Sequence, residues 1–119
     1  RFIEEAFKDL ISLDRSTQCM AIKKLKQLDK NHFLGKPLGN VCGRNLSGCY
    51  KIYFNDNKYR IVYTIVREEI VIKGIQESGK SIEKDEEEII KVYGIGKRDK
   101  FIVYNEVYKR LMQEIEDNG

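Results

Sequence analysis

One histidine, His32, and three cysteines without any paired C-x-x-C spacing leave too few soft ligands for a structural zinc site. No disulfide framework is suggested either, so Cys19, Cys42 and Cys49 read as reduced thiols in a cytoplasmic protein, each a small buried hydrophobe. Long apolar runs are missing, which argues against a bilayer span, and no signal-peptide pattern opens the chain. The first residue is Arg1 rather than Met, so residues are expected to be missing upstream. Repeats, low-complexity tracts and interdomain linkers are also absent. What is there, 119 residues with 41% hydrophobic and 34% charged side chains, suits one soluble domain whose core needs no disulfide or metal support.

The formal net charge of +3 hides a division. Between Gln76 and Lys91, six acids (Glu77, Glu83, Asp85, Glu86, Glu87, Glu88) face three lysines (Lys80, Lys84, Lys91), so the remainder carries +6. A basic body with an acidic excursion is compatible with binding a polyanion while keeping one edge away from it.

Apolar residues at Phe2/Ile3, Ala6/Phe7, Leu10/Ile11 and Leu13 have the spacing of an amphipathic helix. Asp14-Arg15-Ser16-Thr17 interrupts it, and Ser16 or Thr17 is expected to cap a second helix carrying Met20, Ile22, Leu25 and Leu28. Residues 35–40, with Gly43 and Gly48 beyond, read as a loop leading into a sheet. Strands are expected over 49–55, 58–66 and 89–95, with 67–88 ambiguous. Tyr104, Val107, Tyr108, Leu111, Met112 and Ile115 predict a C-terminal helix. The fold class is α+β, with helices on one face of a mostly antiparallel sheet.

The most informative stretch is the pair of alternating runs on either side of Asn55-Asp56-Asn57-Lys58, which predicts a hairpin. Pairing Phe54 with Tyr59 sets Tyr53 opposite Arg60 and Lys51 opposite Val62. Alternation then puts Tyr50, Ile52, Phe54, Tyr59, Ile61, Tyr63 and Ile65 on a core face. Lys51, Tyr53 and Arg60 emerge on the other, a small basic and aromatic platform suited to a phosphodiester chain with stackable bases.

Residues 74–81 fit G-x-x-x-x-G-K-[ST] and so the phosphate-cradling P-loop, with a β-like run before and a candidate helix after. Against it, no later strand ends in an Asp suited to Mg²⁺, only 38 residues follow Ser81, and the acids from Glu83 to Glu88 would repel a triphosphate. A polar turn between β-like segments is the plainer reading. Gly94-Ile95-Gly96 lacks the third glycine of a dinucleotide fingerprint, since Asp99 stands three residues beyond Gly96.

The motifs G-x-Y-K-I at 48–52, Y-R-I-V-Y at 59–63 and I-G-K-R-(x)5-V-Y from Ile95, in this order after a helical hairpin, resemble the RelE/ParE superfamily of toxins from bacterial type II toxin–antitoxin modules. The resemblance covers residues 1–119 as one toxin domain, except that 67–88 resembles an insertion between sheet strands. It implies a hairpin of helices packed on the sheet with a C-terminal helix, and an opening β-strand of which Arg1-Phe2-Ile3 would remain. RelE-like members cut mRNA in the ribosomal A site, whereas ParE-like members poison DNA gyrase without nuclease residues. By position, Lys51, Arg60, Arg98 and Tyr104 fall on RelE-type catalytic residues, while Tyr53 stands where RelE has a second lysine. The implied partners are a cognate antitoxin and mRNA on the ribosome, with oligomers formed through the antitoxin and no cofactor or metal required.

RNA is cleaved without metal if its 2′-hydroxyl attacks the adjacent phosphate, leaving a 2′,3′-cyclic phosphate. That needs a base, a cation for the phosphorane and an acid for the 5′-oxygen. Arg60 and Arg98 suit the phosphate and transition-state charge, Arg98 also serving the leaving group. Lys51 is expected to act as stabiliser or as base, with its pKa lowered by the neighbouring arginines. Tyr53 and Tyr104 stack or orient, and Lys97 and Lys100 serve as RNA-backbone charges. The bland alternatives are tyrosines packed on a sheet edge and an ordinary solvated face at Lys51 and Arg60.

Overall fold

The computed structural model describes residues 1–41, 43–72, 83–98 and 102–118. Two helices, α1 (Glu4–Ser12) and α2 (Arg15–Lys30), open the chain. The cap of α2 is Asp14 rather than Ser16 or Thr17. Its carboxylate accepts the Thr17 N–H at 3.2 Å and the Thr17 hydroxyl at 2.5 Å, because Asp14 is still extended while Arg15 has already turned helical. A 3₁₀ turn (His32–Leu34) leads to β1 (Lys36–Pro37), and β2 (Asn40–Val41) then pairs with β3 (Arg44–Asn45), so the expected loop holds three short strands. After these come β4 (Cys49–Phe54), β5 (Tyr59–Ile72), β6 (Glu83–Lys97) and α3 (Ile102–Asn118).

The main sheet has the order β1-β4-β5-β6 and is antiparallel throughout. The β4–β5 register is the one read from the alternation, with Phe54 opposite Tyr59, Tyr53 opposite Arg60 and Lys51 opposite Val62. Its turn takes three successive residues into the left-handed region, Asn55, Asp56 and Asn57 at φ 52°, 54° and 63°. Asn and Asp tolerate that conformation better than other non-glycine residues.

Two expectations change. The stretch from Arg67 is a continuation of the strands, since β5 and β6 stay paired from Arg67↔Glu88 out to Ile72↔Glu83. Residues 73–82, which hold the P-loop-like 74–81, lie outside the described residues. Their flanks are antiparallel strands, however, and the helix that a P-loop needs after it is replaced by β6. The second change concerns the helices, which lie on both faces of the sheet. Ala6 and Leu10 of α1 and Ala21 and Leu28 of α2 pack with Phe54, Ile61, Tyr63 and Ile95. Val103, Tyr104 and Val107 of α3 pack on the opposite side with Cys49, Val62 and Tyr93. Periodicity shows that a helix has an apolar stripe but not which side of a sheet receives it.

Gly94 and Gly96 explain how closely α3 approaches. A Cβ at Gly94 would stand 2.7 Å from Val107 Cγ2, and one at Gly96 2.8 Å from Val103 Cγ2. These glycines clear space for a helix rather than for a dinucleotide. Just before them, between the partners of Tyr63 and Val62, a bulge leaves Tyr93 without a register partner.

Strand β6 is the outer strand of the sheet, and its free edge is closed by two devices. Phe2 bridges Val92 in parallel, with Ile3 N–H donating to the Val92 carbonyl at 3.1 Å and Val92 N–H to the Arg1 carbonyl at 2.8 Å. Farther along, the Asp9 carboxylate of α1 accepts the Ile95 N–H at 3.2 Å and two guanidinium N–H groups of Arg110 on α3, at 2.7 and 3.2 Å. Arg110 also donates to the bulged Tyr93 carbonyl at 2.8 Å. Among the described residues no helix is long and apolar enough to cross a membrane.

Asp9 and Arg110 are 25% and 16% exposed, too sheltered for water to replace what either would lose. Replacing Asp9 with Ala strands one cation and one backbone N–H together. The expected loss is about 2–3 kcal/mol, read as a lower urea midpoint at unchanged slope.

Candidate functional site

Five side chains from four elements meet over the face of the sheet that α3 covers in part. Alternation along β4 brings out Lys51 and Tyr53, and the register sets Arg60 of β5 directly across from Tyr53. Gly96 lies across from Arg60 on the other side, and Val103 packs against it, so Tyr104 in the first turn of α3 comes down over Arg60. Arg98 follows β6 directly, and its N–H donates to the Lys58 carbonyl at 2.7 Å, which ties it to the end of the β4–β5 hairpin.

The distances describe one cluster. Lys51 Nζ donates to the Tyr53 hydroxyl at 3.0 Å. The Tyr53 ring centroid lies 4.8 Å from the Arg98 guanidinium carbon and 5.7 Å from that of Arg60. Arg60 lies 4.4 Å from the Tyr104 ring centroid. It is 5% exposed, and its Nε has no hydrogen-bond partner among the described residues. What faces this buried charge is a pair of rings. Each such contact contributes about 0.5–2 kcal/mol, whereas burying a cation costs several. The rings offset only part of that cost, so the site remains receptive to an anion.

The tyrosines are thus part of the electrostatics rather than sheet-edge packing alone. Burial separates them, however: Tyr104 is 3% exposed, while Tyr53 is only partly covered. Lys51 departs from expectation. Its pKa is raised, chiefly because its ammonium donates to the Tyr53 oxygen, with partial burial opposing and the Tyr104 phenol adding to the rise. The same hydrogen bond lowers the Tyr53 phenol, against the effect of burial and with help from the charges of Lys51, Arg98 and Arg60. Like charge from the arginines was expected to make Lys51 the easier proton to lose. The 3.0 Å contact outweighs it and passes that character to Tyr53.

Not every basic candidate joins the group. Lys97 is opposite Tyr59, one residue out of phase with Gly96, so the alternation turns it to the face that α1 and α2 cover. Lys100 lies outside the described residues. A cation that sequence reasoning missed is Lys36, exposed on β1 and directly opposite Lys51, hence on the same face. A two-residue strand inside a Gly- and Pro-containing loop carries no periodic signal that would have revealed it.

Of the cysteines, Cys49 is the buried hydrophobe expected, with its thiol pushed up to about 11 by burial. Cys19 is exposed, and Cys42 lies outside the described residues. Among the described residues no group of three or more His, Cys, Asp or Glu is placed to hold a metal ion.

The chain is 30% identical over 112 residues to an Escherichia coli protein named "Putative RelE-like toxin protein", an alignment covering 93% of this chain and 94% of that protein. No family model and no solved structure matches.

The phenol shift can be read directly. With ¹³Cζ-labelled tyrosine, the Tyr53 resonance is expected to titrate at a higher pH in Lys51→Met than in the unaltered protein. Identical titrations would show that the lysine does not acidify it.

Proposed function

The chain belongs to the RelE-like toxin family, and from that premise we propose that it is the toxin of a type II toxin–antitoxin module, cutting mRNA on the ribosome. The observation that carries this reading is the convergence of Lys51, Tyr53, Arg60, Arg98 and Tyr104 within a single cluster of contacts. A gyrase poison has no need of such a group.

The chemistry fits the residue types. The substrate supplies its own nucleophile, the 2′-hydroxyl, so no metal is needed to generate one. Arg60, held rigidly between rings, offers a preset fork to the non-bridging phosphate oxygens. Arg98 is exposed at the rim and meets the phosphate and leaving oxygen as charge builds there. Lys51 keeps its proton and adds a fixed positive charge. Tyr104 steadies Arg60, and the Tyr53 ring lies where a nucleobase would stack. Lys36 extends the basic track for the RNA backbone. The cognate antitoxin would neutralise the toxin in the cytoplasm by laying a helix or strand over the cleft or sheet edge.

Arg98→Ala is expected to lower ribosome-dependent mRNA cleavage by about 10²–10³-fold, as loss of one transition-state donor does. Because Arg98 is exposed, the substitution is expected to leave the fold intact, and a circular dichroism melt checks this. An unchanged rate would refute the assignment. Growth arrest with double-strand DNA breaks, and with mRNA intact, would favour the gyrase-inhibitor alternative.

A further inference from the structure

Five groups share the cluster, and they differ in what they can do with a proton. A guanidinium has five N–H donors and no acceptor, so Arg60 and Arg98 serve as charges and not as bases. Lys51 is held in its charged form by the phenol it donates to. Tyr104 of α3 is the more deeply buried phenol, at 3% exposed, and its ring lies against the Arg60 guanidinium at 4.4 Å. Tyr53 is left, partly exposed on β4, with cations facing it from several elements. Lys51 comes from its own strand, Arg60 from β5 and Arg98 from the end of β6, with Lys36 of β1 farther along the same face and the Tyr104 phenol contributed by α3. Among the described residues, the charges that act on its oxygen are those of Lys51, Arg98 and Arg60, all positive.

We infer that Tyr53 is the group that accepts the proton of the attacking 2′-hydroxyl, doing with a cation-ringed phenol what a base must do in this reaction. The inference rests on the ribonuclease reading above. The step balances as follows. The Tyr53 phenolate oxygen takes the 2′-hydroxyl proton as the 2′-oxygen forms its bond to phosphorus, and the bond from phosphorus to the 5′-oxygen breaks. The departing 5′-oxygen, met by Arg98, takes a proton from water, and Tyr53 returns its own proton to solvent. The products are a 2′,3′-cyclic phosphate and a free 5′-hydroxyl, with no change of oxidation state.

A ring that only stacks and a phenol that moves a proton predict different behaviour when the hydroxyl alone is altered. The experiment is single-turnover cleavage of ribosome-bound mRNA across a pH series by the full chain, Tyr53→Phe, and protein carrying 3-fluorotyrosine at position 53. In the full chain the rate should climb with pH and level off at the Tyr53 titration. Fluorination, which acidifies the phenol, should move that inflection to lower pH. Tyr53→Phe keeps the ring, and should lose about 10²–10⁴-fold in rate together with the pH dependence, while ribosome co-sedimentation and circular dichroism stay the same. A Tyr53→Phe protein that cleaves at the full rate with the same pH profile overturns the inference and leaves the ribonuclease reading standing. Intact mRNA with the unaltered protein overturns that reading, and this inference with it.

Discussion

The structure depends on one carboxylate, that of Asp9, more than on any other polar group. It reaches across the free edge of β6 from α1 and is gripped by Arg110 from α3, so two helices on opposite faces of a sheet are joined around its rim. The contact is possible because Gly94 has no side chain, since a Cβ there would approach Arg110 Nη1 to 3.3 Å as well as striking Val107. The bulge at Tyr93 supplies the carbonyl that Arg110 also needs. Glycine, bulge and ion pair form a single device. It orients the last residues of β6, and so fixes where Arg98 leaves the sheet and where α3 begins.

The cluster is assembled by this geometry from residues far apart in the chain. Among the described residues its cations are faced by rings rather than by carboxylates, and the consequence is chemical. An arginine paired with an acid is neutralised before a substrate arrives, whereas one held by aromatic faces keeps nearly all its charge for a phosphate. The hydrogen bond from Lys51 to Tyr53 goes further, because it distributes proton affinity unequally between two neighbours. The lysine holds its proton more firmly than usual and the tyrosine less firmly.

The parts of this that could be read from the sequence share a physical character, in that they are local. The β4–β5 register followed from strict alternation between Tyr50 and Ile65, where one face is buried and a slip of one residue would expose it. That register alone placed Lys51, Tyr53 and Arg60 together. The resemblance added Arg98 and Tyr104, and the geometry brings both to the same place. What stayed hidden was long-range or unpatterned. Asp9 and Arg110 are 101 residues apart and neither belongs to a motif. The strand extension beyond Arg67 is a two-stranded ribbon, where the sequence need not alternate apolar with polar residues, so acids on β6 masked its β character. Lys97 was grouped with Arg98 by adjacency, although the strand period turns it the other way. The sense of the Lys51 shift depended on a single 3.0 Å contact that spacing alone does not reveal.

The ribbon also sets a direction for anything laid on the platform. Along β5 the platform side changes from Arg60 to Glu68, which lies opposite Glu87. Eight residues of extended chain separate the two, about 27 Å, well beyond a physiological Debye length of about 8 Å. The acids therefore take little from the pull of the cluster itself. A strand of phosphates running lengthwise would still arrive at Glu87, Glu68 being paired with Arg1, whereas one running crosswise, from Lys36 over Lys51 toward Arg98, would not. On the function proposed above, the platform would then have a preferred grain, favouring a backbone laid across its strands over one aligned with them.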